Sequence, residues 1–266
     1  MYPPILVKEV NMNITLEQYI LNPQIKSNAV LNATAREAIR GTYLKKFDAI
    51  LLRERGKIDY TLYKDSKNNR FFAHFKIPSE TVEKFYYDTI LEFFTDENIS
   101  NTGDLLKYYV KFYSNDPAFV YTHAHAFSVN NLFISELSSK MSKKALKTEA
   151  KEKNPYNQIG YVKSIYFAYL TMKNKGLNHK DKFEAECKTF SKSVLLLNVE
   201  NADKKVEDRE AAGEKVRKKK IKERKQQNSD NIKITPSSLG VKKTKTTNST
   251  IKKTKIVGLT KTTKRK

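Results

Sequence analysis

Tyr121-Thr-His-Ala-His125 carries the most chemically suggestive spacing in the chain, two histidines one residue apart. On a strand, His123 and His125 would share a face and could ligate one metal ion; on a helix they would point about 200° apart and could not converge. Asp104, Asp116 and Glu136 are the nearby carboxylates, and no fixed ligand spacing joins them to the pair. The expectation is structural histidines and no metal site, with His123 and His125 the candidates if one exists. A nuclease needs carboxylates clustered on a divalent ion. Asp59 and Asp65, with Lys57 and Lys64 beside them, only flank a hairpin strand, as charges on any solvated hairpin do. Cys187 in FEAECKTF has no elbow glycine around it, and neither GxxxxGK(S/T) nor GxGxxG occurs. Nucleophilic catalysis and phosphate-cradling loops therefore have no sequence basis, and neither an enzymatic activity nor a cofactor is expected.

The constellation with physical force behind it is cationic. KVRKKKIKERK supplies Lys215, Arg217, Lys218, Lys219, Lys220, Lys222, Arg224 and Lys225, among good helix formers that allow a basic helix over 203–226. Beyond Pro236 and Gly240, KKTKTTNSTIKKTKIVGLTKTTKRK adds Lys242, Lys243, Lys245, Lys252, Lys253, Lys255, Lys261, Lys264, Arg265 and Lys266, with no acidic residue among them. Such side chains hold phosphates as point charges and release counterions. Without aromatics for stacking or base-reading geometry, they predict non-specific nucleic-acid contact rather than recognition. An anionic membrane or an acidic protein is the second class of partner, and a solubility or localisation tail is the bland alternative.

Composition separates this region from whatever positions it. Residues 1–200 contain all 15 Tyr and all 14 Phe, whereas 201–266 contain none and carry 22 Lys plus Arg against 7 Asp plus Glu. The expected organisation is a globular core over 1–200 and a largely disordered Lys-rich tail over 201–266. A single cysteine excludes an internal disulfide. The N-terminal MYPPILVKEV lacks a basic leader, and lysines interrupt every apolar stretch before membrane-spanning length, so a soluble protein of a cell or of a particle assembled in one is expected.

Periodicity then predicts the elements of the core. Thr15-Leu-Glu-Gln18 is a capping box opening a short helix, and Thr34-Ala-Arg-Glu37 opens another over 34–55 that Gly56 closes. Alternation over 58–63 and 71–77 predicts a β-hairpin. Val82, Phe85, Tyr86, Thr89, Ile90 and Phe93 predict a helix capped by Ser79, and 105–114 predicts a third strand. Helices are expected to start at Asp116-Pro117 and Asn154-Pro155, the latter ending at Gly176, with a last one over 180–197. The expected fold class is α+β, mainly helical, with a small antiparallel sheet of two or three strands.

Four stretches, NPQIKSNAVLN at 22–32, KIDYTLYKD at 57–65, FYSNDPAFVYTHAHAF at 112–127 and NPYNQIGYVKSIYFAYLTMKNKGL at 154–177, together resemble a group of structural, virion-associated proteins of tailed bacteriophages. The resemblance spans about 13–178 and brings no catalytic residues. It implies a non-enzymatic protein made in the host cytoplasm and built into a virion, docked in multiple copies on other virion proteins, with no membrane and no small-molecule substrate. In that setting the packaged genome is the polyanion at hand. A cytoplasmic nucleic-acid-binding protein outside any particle is the alternative, and a metal-dependent nuclease using His123 and His125 is the third reading.

Overall fold

A computed structural model describes residues 13–21, 33–96, 102–154, 157 and 159–232. Local chemistry sets its first elements. Gln18 N donates to Thr15 Oγ1 at 3.1 Å and Thr15 N to Gln18 Oε1 at 2.9 Å, the reciprocal cap that opens α1 (Leu16–Leu21). Next, α2 (Ala33–Arg53) stops where Arg55 and Gly56 turn left-handed, Gly56 N donating to Leu51 O at 2.7 Å. The predicted hairpin forms as β1 (Tyr60–Asp65) and β2 (Arg70–Pro78), with Tyr60 opposite Phe75.

The helix expected after Ser79 does not form; the segment is β3 (Tyr86–Phe94). Its apolar residues fit a helical period, yet most are aromatic or β-branched, and burial on both faces removes the alternation that marks a half-exposed strand. Ser79 Oγ caps a turn instead, accepting from Val82 N at 3.3 Å. A 3₁₀ turn, Leu105–Lys107, takes the start of the third predicted strand and leaves β4 (Tyr109–Ser114). Behind Asp116-Pro117, a π turn (Phe119–His123) leads into α3 (Ala124–Val129).

A 3₁₀ helix (Ser135–Lys140) and α4 (Lys143–Lys147) precede α5 (Lys163–Lys175), which starts later than Asn154-Pro155 and ends at left-handed Gly176 as expected. The single helix expected over 180–197 is broken into α6 (Lys180–Glu186), β5 (Lys188–Thr189) and α7 (Lys192–Asn198). The break has a tertiary cause: Phe190 N donates to Lys64 O at 2.9 Å, and its ring stacks on Phe72 at 4.3 Å. Finally comes α8 (Ala202–Ile232), which contains the basic helix expected over 203–226.

The fold is α+β, but its sheet has five strands, in the order β4-β3-β2-β1-β5, antiparallel apart from the β1–β5 pair. One face, with Phe71, Ala73, Phe75, Leu91 and Phe93, carries most of the apolar burial; α5 packs on β2, β3 and β4 there, Ser164 reaching Ser114 at 3.1 Å. The opposite face carries Arg70, His74, Lys76, Asp88 and Glu92, paired across β2 and β3 as Lys76 with Asp88 and Phe72 with Glu92. The core boundary expected at residue 200 moves outward. Ala202, Lys205 and Val206 are buried, and the chain divides into the compact units Met1–Lys220 and Ile221–Lys266.

Candidate nucleic-acid interface

The residues that the sequence offered for metal binding or nucleophilic catalysis are engaged in structural contacts. His123 ends the π turn and His125 lies in α3, so the helical alternative holds and the pair does not converge. His125 Nδ1 bonds Asn157 Oδ1 at 2.8 Å, while the His123 ring packs against Gly160, where a Cβ would come within 2.5 Å of His123 Cε1. Asp104 and Asp116 cap helical turns, accepting from Leu106 N at 3.0 Å and Ala118 N at 2.9 Å.

Asp65 and Glu136 converge with Glu92 on Arg70, at 2.9, 2.5 and 2.9 Å respectively. The guanidinium therefore occupies the position in which a cation would sit, and the Phe72 and Phe190 rings lie 5.3 and 5.8 Å from it. Cys187 is partly buried, which pushes its thiol above the usual range, and its Sγ donates to Glu184 O. Among the described residues no group of three or more His, Cys, Asp or Glu is placed to hold a metal ion. No helix among them is long and apolar enough to cross a membrane.

A buried charge network that sequence reasoning missed does the positioning. Asp88, almost fully buried, binds His74 Nε2 at 2.7 Å and Lys76 Nζ at 2.5 Å through Oδ1. Its Oδ2 accepts from Asn115 Nδ2 at 2.9 Å and from Glu200 N at 3.0 Å. Burial pushes this carboxyl up, but the hydrogen bonds and electrostatic pull of His74 and Lys76 outweigh it and bring it from 3.8 down to about 2. The Glu200 contact ties the α7–α8 junction to the polar face of the sheet. Lys205 reinforces it, reaching Glu200 Oε1 at 3.0 Å with its ammonium 4.5 Å from the Phe85 ring. The sequence signal was Asp88 and Glu92 set against Leu91 and Phe93, but Thr89 and Ile90 break the alternation between them and conceal it.

So anchored, α8 changes sign along its length. Residues 203–214 hold five acids and three bases, whereas 215–225 hold eight bases and Glu223. Acids toward the N-terminus and bases toward the C-terminus suit the helix dipole, which helps a polar helix persist. Lys215, Arg217, Lys218, Lys219, Lys220, Lys222 and Arg224 are all exposed. At about 100° per residue they surround the helix rather than lining one face. Lys225 lies in the helix, with its side chain outside the described set; Lys242, Lys243, Lys245, Lys252, Lys253, Lys255, Lys261, Lys264, Arg265 and Lys266 lie outside the described residues altogether. Compared with known proteins, the chain matches no family model, no curated protein and no solved structure.

Proposed function

We propose that the chain is a non-enzymatic structural protein that contacts nucleic acid: a folded α+β body docks on other virion proteins, and the basic part of α8 holds DNA phosphates without reading sequence. The observation that carries the nucleic-acid part is the exposed run from Lys215 to Arg224, presented on a helix whose base is tied into the core through Glu200 and Asp88. A cationic cylinder of this kind offers charge in every direction and no fixed donor pair for a base edge, which favours phosphate contact over groove reading. The virion setting rests on the resemblance of the stretches at 22–32, 57–65, 112–127 and 154–177 to tailed-phage proteins.

Mass spectrometry of purified particles, run beside fractionated host lysate, tests the setting. Stable recovery with particles supports it. Recovery with nucleoid or ribosomal fractions alone would replace it by the cytoplasmic reading and leave the DNA contact standing. Cutting the chain at residue 200 is the wrong test of DNA binding, because it would strip buried Ala202, Lys205 and Val206 from the core. Neutralising the exposed cations leaves that core intact.

A further inference from the structure

Gly213 sits inside α8, where glycine costs about 1 kcal/mol of helix stability relative to alanine. Packing does not require it, since a Cβ there would meet nothing within 4 Å. What Gly213 borders is a groove of about 630 Å³, walled by Thr81 and Val82 on one side and by α8 on the other. Arg209, Gly213, Val216 and Lys220 recur along that wall at i, i+4, i+7 and i+11, with Arg217 beside them.

Arg209 Nε is buried there with no hydrogen-bond partner among the described residues. A buried unpaired donor is costly, and a native structure that keeps one invites a ligand that would pair it. Glu210 and Glu214 also line the groove, but Glu214 is held by Lys218 at 2.7 Å, so the cations prevail. From Arg209 to Lys220 the wall is about 16 Å long, enough for a few nucleotides of one strand.

We infer that this groove seats the sugar–phosphate backbone of a nucleic-acid strand, with Gly213 letting a phosphate approach the helix and Arg209, Arg217 and Lys220 pairing with it. The inference rests on the polyanion reading above and gives it a location. The test is fluorescence anisotropy of the full chain with labelled mixed-sequence DNA, single-stranded and duplex. Its variants are Gly213→Leu, Arg209→Gln and Glu210→Gln, with Lys215→Gln/Lys222→Gln/Arg224→Gln as a control outside the groove. Leucine is a better helix former than glycine, so a melting temperature at or above that of the parent certifies the fold of Gly213→Leu.

Gly213→Leu and Arg209→Gln are each expected to weaken binding about tenfold, the scale of one charge-assisted hydrogen bond. Glu210→Gln is expected to tighten it about twofold. The DNA form that suffers more from Gly213→Leu is the form the groove holds. Groove variants at parental affinity beside a weakened control triple would overturn the groove while leaving the exposed run as the phosphate contact. If neither the groove variants nor the control lost affinity, both readings would fall. Displacement of DNA by polyglutamate at equal charge concentration would overturn the inference in favour of an acidic polypeptide.

Discussion

Replacing Asp88 with alanine is the perturbation that tests how the cationic helix is held. Four groups converge on this carboxylate: His74, Lys76, the Asn115 amide and the Glu200 backbone N–H. Removing it leaves the Lys76 ammonium without this counter-charge and takes the acceptor from the other three groups. Breaking a buried pair in this way costs about 3–5 kcal/mol, and Asp88→Ala is expected to fall in that range at neutral pH, measured by urea unfolding.

The pH dependence supplies a second reading of the same network. A carboxyl at about 2 in the folded chain against 3.8 ordinarily has a depressed folded value. Its contribution is therefore complete above the ordinary value and lost as pH falls toward the folded one. It amounts to about 2.5 kcal/mol, of which about 1 kcal/mol is gone by pH 3. The gap between parent and Asp88→Ala should narrow by about that much between pH 7 and about pH 3. Hydrogen exchange should also show residues 199–206 opening more readily in the variant at neutral pH. A cost below about 1 kcal/mol, or a gap that does not change with pH, would refute the reasoning that Asp88 anchors the α7–α8 junction.

Two further outcomes are expected. Gly160→Ala should destabilise the chain by about 1–3 kcal/mol, because its Cβ would meet His123 Cε1 at 2.5 Å, and adding His123→Ala should recover most of the loss in thermal melts. Asp116 is buried, which raises its carboxyl despite the Ala118 N–H that it accepts, so its charged form costs stability above the ordinary value and this cost fades as pH falls through the raised one. Asp116→Asn keeps an acceptor for the cap and removes the charge; it should be neutral or stabilising at pH 7 and lose any advantage in acid, and a loss above about 1.5 kcal/mol at pH 7 would contradict this.

Where local chemistry decided the conformation, it was readable from the sequence. The Thr15 and Gln18 cap, the hairpin read from alternation at 58–63 and 71–77 and found as Tyr60–Asp65 and Arg70–Pro78, the Asp116-Pro117 start and the Gly176 stop all formed as their residue types require. Tertiary context overrode local periodicity elsewhere. Tyr86–Phe94 satisfied two periods at once, and only its place between β2 and β4 selects the strand. Phe190 breaks a predicted helix because stacking on Phe72 and pairing with Lys64 are long-range events.

The basic helix was visible in composition, but its anchorage was not. Among the described residues, Ala202 and Val206 alone join it to the apolar core, and two residues vanish in an average over 66. His74, Asp88 and Asn115 come from three separate segments and share no spacing that could have announced them.

The most direct test of the central claim is the salt dependence of DNA binding by the full chain between about 50 and 200 mM salt. The comparison is with a variant carrying glutamine at Lys215, Arg217, Lys218, Lys219, Lys220, Lys222, Arg224 and Lys225. Each phosphate contact contributes about 0.9 to the slope of log K against log salt, so the variant should bind more weakly with a slope flatter by up to about 7. An unchanged affinity and an unchanged slope would contradict the assignment of phosphate contact to this helix.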